Sequence, residues 1–191
     1  DELAAHCTRL HRFQHLASIA WWDQAAHMPP KGNEARAAAL AELAALMHRL
    51  RTDDTLAERL ARAEQEPLAD HQRANLREIR RDWHNANALP AELVQRRQLA
   101  SSRCEHAWRS LRPANDWPGF VEHWKPVLAI AREEAALLAA QTGLGKYDAL
   151  MDRFEPGLSC AMVDRVFGAV RQWLPGLIDR VAARESLRQI V

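Results

Sequence analysis

The chain has 191 residues, of which 48% are hydrophobic and 27% are charged, and this is enough to bury one substantial core. Its 26 basic and 25 acidic residues leave a net charge of +1, which argues against nucleic acid or an acidic membrane as the main partner. No apolar run approaches the length of a membrane-spanning helix, so we expect no membrane segment.

The first two predicted helices are separated by prolines. Apolar residues at helical spacing predict one helix over 2–23 and a second over 33–50, with Asn33 as the N-cap of the second. The first ends before Met28-Pro29-Pro30, because a residue ahead of proline is pushed out of helical geometry. The apolar face of the first contains Leu3, Leu10, Phe13, Ala17 and Ala20, and that of the second contains Leu40, Leu43, Leu46, Met47 and Leu50.

Three further helices follow. The third is predicted over 53–66, with acidic residues in its first turn, where the helix dipole favours them, and with Pro67 as its end. The fourth, over 69–88, is amphipathic. The fifth begins beside Pro90 and runs to 111. The apolar side of the fourth contains Leu76, Ile79 and Trp83.

The last third of the chain continues the pattern. A sixth helix is predicted over 117–142, with a kink at Pro126 and Gly143 as its C-terminal stop. A short helix over 146–154 and a last stretch over 160–189 follow. Ser159 is expected to cap that last stretch, and Leu174-Pro175-Gly176 to interrupt it. No strand pattern, fixed repeat or sustained heptad is visible, so we expect an all-α fold of about eight helices in antiparallel hairpins.

Histidines and cysteines are the first candidates for chemistry. His11 and His15 share a helix face, but Arg12 stands where a zinc peptidase helix carries its glutamate. We therefore expect surface or packing roles for this pair. Cys104 and His106 point about 200° apart on a helix and cannot pair there.

The cysteines and the first residues of the chain indicate the cellular compartment and whether the gene product is longer than this sequence. Three lone cysteines indicate a reducing cytosol, so we expect a cytoplasmic protein. The start has no signal-peptide pattern and no Met, so we expect the numbering to begin inside a longer gene product.

Two residue types have an ordinary and a functional interpretation. The seven tryptophans are interpreted mainly as core residues, although Trp21 and Trp22 are adjacent and cannot both face one core, so one could line a groove. Arg77, Arg80 and Arg81 could form an RNA-binding face, but the near-zero net charge speaks against it.

Four segments are more specific than generic helix. The longest are WDQAAHMPPKGNEAR at 22–36 and YDALMDRFEPG at 147–157, with NLREIRR at 75–81 and LPAELV at 89–94 between them. In this order and at these separations they resemble the N-terminal region of the carboxypeptidase Taq family. Members of that family are zinc metallocarboxypeptidases that remove residues singly from peptide C-termini, and the resemblance runs through essentially the whole chain.

The resemblance implies a mainly helical, saddle-like or clam-like fold with one metal in a deep groove. In the family the metal helix carries His-Glu-x-x-His, and zinc activates a water whose proton the glutamate accepts. This sequence contains no His-Glu-x-x-His. We therefore expect residues 1–191 to be the N-terminal helical region of a larger peptidase, without catalytic or metal-binding residues and inactive alone.

The same resemblance implies partners and sites. The full-length enzyme is expected to hold zinc or another divalent metal, to act on peptides and to form a homodimer, with this segment as a wall or lid of the groove. Asp23 and Glu155 are each expected either to fix a turn or to contact substrate. The turn would be fixed by backbone hydrogen bonds or, for Glu155, by pairing with Arg153 or another arginine. The family-signature residues are Trp22, Asp23, Gln24, Met28, Pro29, Pro30, Tyr147, Asp148, Glu155, Pro156 and Gly157. The alternative is a non-enzymatic helical protein-interaction domain.

Overall fold

The computed structural model describes residues 2–185, and within that range it contains eight α-helices, one 3₁₀ turn and no strand. The helices are α1 (Glu2–Ala26), α2 (Asn33–Arg51), α3 (Leu56–Glu64), α4 (Asp70–Asn87), α5 (Ala91–Leu111), α6 (Trp117–Thr142), α7 (Lys146–Met151) and α8 (Cys160–Glu185), and the 3₁₀ turn is Pro30–Gly32. The all-α prediction is confirmed. The end of the last predicted stretch, at Gln189, lies outside the described residues.

Consecutive helices pack on each other as the predicted hairpins. α1 packs on α2, α3 on α4, α5 on α6, and α6 on α7. α2 also packs along α5, which joins the early and late parts of the chain. The buried face of α2 includes Ala37, Ala41 and Ala45, and such small side chains let neighbouring helices approach closely.

The core lies in two adjoining regions. One joins α5, α6 and α7, and its buried residues are Leu89, Leu93, Val94, Ile130, Leu138 and Ala149. The other lies along α2, α3 and α4, and its buried leucines are Leu40, Leu50, Leu56, Leu60 and Leu76. Burying one leucine contributes roughly 1.5–3 kcal/mol, so these two regions hold the helices in place.

Two helix starts differ from the prediction. Asn33 is the first residue of α2 rather than its N-cap, because the 3₁₀ turn leads directly into the helix and Gly32 takes the cap position. α3 begins at Leu56 rather than 53, because the Asp53 carboxylate accepts the Thr55 backbone N–H at 2.9 Å and forms a turn there. A short polar side chain that bonds its own backbone competes with the helix.

Two helices, α6 and α8, each contain an internal proline. α6 continues through Pro126 and ends at Gly143, whose φ of 74° is the left-handed conformation that glycine adopts at no steric cost. α8 also continues through Pro175, so the predicted interruption there is wrong. The helix around Pro175 is exposed, and water can satisfy the carbonyl that proline leaves unbonded. Ser159 caps α8 as predicted, since its hydroxyl oxygen accepts the Met162 N–H at 3.3 Å.

The interpretation of the tryptophans as core residues is wrong for six of the seven. Trp83 is half-buried, whereas the others are between 37% and 62% exposed. The exposed six are Trp21, Trp22, Trp108, Trp117, Trp124 and Trp173. Trp117 lies near both Phe120 and Trp124, with ring centroids 5.7 Å and 6.4 Å away.

α8 carries a large apolar surface that the rest of the described chain does not cover. Among its residues up to Arg184, only Val163, Val170 and the terminal Cys160 are even half-buried. Its large apolar residues are between 36% and 58% exposed, and they are Met162, Val166, Phe167, Trp173, Leu174, Leu177, Ile178 and Val181. None of the helices in residues 2–185 is long and apolar enough to cross a membrane. Exposed apolar surface of this extent marks a site of association.

We expect the 191-residue chain to self-associate through α8. Sedimentation velocity over a concentration series should show oligomers that the double variant Phe167→Glu, Ile178→Glu removes, because a charge on each exposed apolar side chain opposes burial. The matched control is Gln172→Glu, an exposed polar position of the same helix. A monomer at high concentration that binds no hydrophobic dye would contradict this expectation.

Candidate functional site

The first signature segment lies where α1 ends and α2 begins, and Gln24 is its most buried residue. The Gln24 side chain is only 1% exposed. Its Nε2 donates to Oε2 of Glu105 at 2.9 Å, and its Oε1 accepts the Ser102 hydroxyl at 3.3 Å. Both partners belong to α5, so Gln24 ties the end of α1 to a helix almost eighty residues later in the chain.

Arg109 completes this connection from the α5 side. Its Nη1 donates to the backbone carbonyl of Gln24 at 2.6 Å, and its Nη2 donates to Oε1 of Glu105 at 2.6 Å. Asn33 is also buried, and its Oδ1 accepts the Ser102 hydroxyl at 3.5 Å. We call Gln24, Asn33, Ser102, Glu105 and Arg109 the signature network. Charged and neutral hydrogen bonds within such a network strengthen one another.

Asp23 fixes the turn in a different way from the one predicted. Its carboxylate pairs with Arg36 of α2 at 2.5 Å instead of accepting backbone N–H groups. The backbone carbonyl of Asp23 accepts the N–H groups of His27 and Met28 at 2.9 and 2.8 Å. Arg36 also donates to the carbonyl of Ala20 at 3.0 Å. The contacts of Asp23 in this structure are therefore structural, and its contact with substrate stays an untested prediction.

The other residues of this segment lie at the surface. Trp22 is 61% exposed and makes an edge contact with His27, with ring centroids 4.8 Å apart. Pro29 and Pro30 are exposed, while Met28 is half-buried. Pro30 opens the 3₁₀ turn, where its fixed φ suits the geometry.

The second signature segment forms α7 and the loop to α8. The Asp148 carboxylate accepts the Cys160 backbone N–H at 2.8 Å, and that of Asp152 accepts the Gly157 N–H at 2.8 Å. Hydrogen bonding from Cys160 holds the pKa of Asp148 below its ordinary value. Gly157 has a φ of 82°, which a residue with a side chain rarely adopts. The two aspartates thus pin both sides of the loop.

Between these pins, the loop presents side chains to solvent. Phe154 is 86% exposed, and Glu155 and Pro156 are exposed as well. Tyr147, on the neighbouring helix α7, is 72% exposed. The predicted pairing of Glu155 with Arg153 is wrong, because Arg153 turns inward to Glu134. A pinned loop with outward side chains is suited to contact another molecule or another part of the same protein.

Glu134 of α6 was not singled out from the sequence, yet it is the most buried charged residue of the described range. It is 4% exposed, and its Oε1 lies 2.5 Å from Arg97 of α5 and 2.5 Å from Arg153 of the α7–α8 loop. It falls between Ile130 and Leu138 at spacing i, i+4, on the buried face of α6. A lone acid on such an apolar face was the available signal, since a buried carboxylate requires a partner.

The arginines of the RNA hypothesis are mostly engaged within the protein. Arg80 pairs with Glu64 at 2.5 Å, and Arg81 pairs with Glu78 at 2.8 Å and donates to the backbone carbonyl of Asp152 at 2.8 Å. Arg77 is exposed. Two of the three guanidinium groups are therefore committed to holding α4 against its neighbours.

The histidines and cysteines considered as metal ligands or catalytic groups in the sequence do not come together in one site. His11 and His15 are both exposed on α1, Cys104 is buried, and His106 is half-buried with Nδ1 unbonded. Within residues 2–185, no group of three or more His, Cys, Asp and Glu is placed to hold a metal ion.

His48 gives the fold a dependence on pH. It is buried in α2, and this burial lowers its pKa below the ordinary 6.5, while a hydrogen bond with the Leu89 backbone acts in the opposite direction. The unfolded chain therefore binds this proton more readily than the folded chain. The contribution of neutral His48 is complete above pH 6.5 and is lost as the pH falls from there through the folded pKa.

We accordingly expect His48→Gln, which keeps a hydrogen-bond donor but cannot titrate, to lose less stability than the wild type on acidification. Urea unfolding at about pH 7.5 and about pH 5.5 measures the difference. The exposed His71→Gln serves as the control and should behave as the wild type. Equal losses in wild type and His48→Gln would contradict the expectation.

The chain matches known proteins along nearly all of its length. It matches the family described as carboxypeptidase Taq (M32) metallopeptidase over residues 2–190. It is 36% identical to thermostable carboxypeptidase 1 of Thermus thermophilus over 178 residues, which cover 87% of this chain and 35% of that protein. The chain spans about a third of the length of the curated relatives it matches.

Solved structures match this chain along nearly all of its length as well. Trypanosoma cruzi metallocarboxypeptidase 1 is 39% identical with a TM-score of 0.80, and the match covers 100% of this chain and 38% of that one. The crystal structure of BsuCP is 19% identical with a TM-score of 0.84, covering 94% of this chain and 36% of that one, and supports the fold alone.

Proposed function

The chain belongs to the carboxypeptidase Taq (M32) metallopeptidase family, and from this we propose that it is the N-terminal helical part of a metallocarboxypeptidase. The resemblance seen in the signature segments is confirmed by the family match. The full-length protein would remove residues from the C-termini of peptides. The relatives named as carboxypeptidases support this activity, and the coverage of about a third supports a larger protein.

The described residues do not fit the metal that the family name implies. Residues 2–185 bring together no group of three His, Cys, Asp or Glu that could ligate it, so no reaction step is assigned to them. We propose that the metal, zinc in our expectation, is held by the part of the protein outside this chain. Residues 1–191 would then be inactive alone. A cytoplasmic location is supported by the three free cysteines, and a homodimer remains an expectation of the family.

The role of this chain would be to form one wall or lid of the peptide groove. The observation that carries this proposal is the pinned loop between α7 and α8. Asp148 and Asp152 fix its backbone, while Phe154 and Glu155 project from it into solvent, and Tyr147 does so from α7 beside it. Side chains held on a rigid backbone bind a partner at low entropic cost.

The test of the activity is a paired measurement of metal content and C-terminal trimming. The full-length protein is expected to bind one divalent metal and to release C-terminal residues from a peptide, while the 191-residue chain should do neither. If the 191-residue chain alone bound stoichiometric metal and cleaved the peptide, the proposal that the catalytic residues lie outside this chain would be overturned. Absence of both from the full-length protein would overturn the peptidase proposal.

The proposal that this loop forms part of the groove wall is tested by comparing two glutamates that each precede a proline. In the full-length enzyme, Glu155→Gln should raise KM for long peptides more than for dipeptides, because the loop would meet only the extended part of a substrate. Glu66→Gln, exposed before Pro67, is the matched control. A KM that Glu155→Gln leaves unchanged for every peptide length would count against a wall at this loop.

A second candidate function is a protein-interaction domain, and the exposed apolar face of α8 is the observation that favours it. In that case the partner of α8 would be a separate protein rather than the remainder of the same chain. Hydrogen exchange and labelling of the full-length protein distinguish the two functions. Protection of Phe167 and Ile178 from solvent would support the peptidase assignment. The same residues left exposed in the full-length protein would favour an external partner.

A further inference from the structure

Arg51, in the last turn of α2, is a half-buried arginine that does not bond directly to any acid of the described residues. Within the described part of the chain its guanidinium forms no ion pair and no side-chain hydrogen bond. It lines a cavity of about 290 Å³ between α2, α4, α5 and the loop after α7. Most arginines of this protein that are comparably shielded, such as Arg97 and Arg109, hold a carboxylate.

Four of the described residues that line this cavity are arginines and one is acidic, so the walls themselves are predominantly basic. Arg97 and Arg153 also line it, and both point at the same oxygen of one carboxylate, that of Glu134. Arg81, a further lining residue, is already paired with Glu78, and it lies 3.8 Å from the carboxylate of Asp152. Two guanidinium groups thus share one acid, and the guanidinium of Arg51 is added to them.

The acidic residue that lines the cavity does not bond to Arg51. Asp82 lines the same cavity, but it is exposed and forms no ion pair within the described residues. Its charge favours the charged form of Arg51, whereas burial and the charges of Arg97 and Arg153 lower the pKa of Arg51. Arginine stays protonated at neutral pH, so the half-buried guanidinium of Arg51 carries its desolvation cost at that pH.

We propose that this cavity binds a small oxyanion, with the guanidinium of Arg51 as its principal contact. The planar fork of arginine donates two parallel hydrogen bonds to the oxygens of phosphate or carboxylate. The cavity has largely polar walls, and Asn85 on one of them adds an amide donor. The anion is either free in solution, for which inorganic phosphate is the probe, or it is a carboxylate from the part of the protein outside this chain.

The experiment compares Arg51→Gln with Arg49→Gln in the full-length protein, by thermal unfolding in phosphate and in chloride of equal ionic strength. Arg49 lies on the same helix, is exposed and lines none of these walls, so it controls for the loss of one charge. A free anion predicts that phosphate raises Tm above the chloride value in the wild type and Arg49→Gln but not in Arg51→Gln. A carboxylate of the protein predicts no phosphate effect, and a Tm of Arg51→Gln well below that of Arg49→Gln in both salts.

Either pattern supports the site and identifies its source. A phosphate effect that persists in Arg51→Gln overturns the proposal, as does a Tm of Arg51→Gln equal to that of Arg49→Gln without any phosphate effect. If Arg51→Gln fails to fold in chloride and Arg51→Lys, which keeps the charge without the fork, folds, phosphate should stabilise Arg51→Lys less than the wild type. None of these readouts involves peptide cleavage, so their failure is separate from failure of the proposed function.

Discussion

Replacing Glu134 by glutamine is expected to lower the free energy of unfolding by about 3 kcal/mol. The substitution keeps the volume and one acceptor oxygen but removes the charge that Arg97 and Arg153 share. The two arginine side chains, each about a third exposed, would then have no counterion at a position whose side chain is only 5% exposed. Breaking a buried ion pair from one side is costly because the remaining charge keeps its desolvation penalty.

The neighbouring residue provides the control. Glu133 pairs with Arg96 at 3.0 Å, but both side chains are almost half exposed. An exposed pair of this kind contributes about 0–1 kcal/mol, so Glu133→Gln should change stability little. Urea denaturation of the two variants measures the contrast. Equal effects of the two substitutions would mean that Glu134 is hydrated in solution, contrary to its burial here.

Replacing Gln24 by leucine is expected to destabilise the protein by about 2 kcal/mol. Leucine fills a similar volume, so the effect isolates the lost hydrogen bonds of the signature network. The Ser102 hydroxyl would lose its nearest acceptor, and among residues 2–185 Glu105 would keep only Arg109 as a side-chain partner. Leaving a buried polar group without its partner costs about 1–3 kcal/mol.

Gln14→Leu on the same helix is the matched control, because Gln14 is exposed and donates no side-chain hydrogen bond within residues 2–185. Its effect should stay within about 0.5 kcal/mol. Thermal unfolding followed by circular dichroism compares the two. If Gln24→Leu were as stable as the wild type, the glutamine of the signature would be free for a role other than structure.

Local chemistry explains which helices could be predicted from the sequence. α4, α5 and α6 begin and end within one or two residues of the prediction, because prolines, Asp116 and Gly143 mark their ends directly in the chain. The late start of α3 follows from one side chain, Asp53, which bonds to the backbone two residues on. Propensity alone does not distinguish an acid in the first turn of a helix from an acid that delays it.

The features that could not be predicted from the sequence depend on contacts between residues far apart in the chain. Nothing local shows that Gln24 meets Glu105, or that Arg153 turns to Glu134 rather than to Glu155 two residues away. The tryptophans were misplaced for the same reason. The hydrophobicity of Trp22 and Trp173 favours their burial, but the packing of the whole protein decides whether another element covers their side chains.

The same network that fixes the first signature segment has a consequence for the order of folding. The α5–α6 hairpin joins residues near in sequence, whereas the Gln24–Glu105 hydrogen bond closes a loop of 81 residues. Loop closure over that distance opposes early formation of the contact. We expect the junction of α1 with α5 to form after the rate-limiting step of folding. Its loss in Gln24→Leu should therefore accelerate unfolding and leave the rate of folding nearly unchanged.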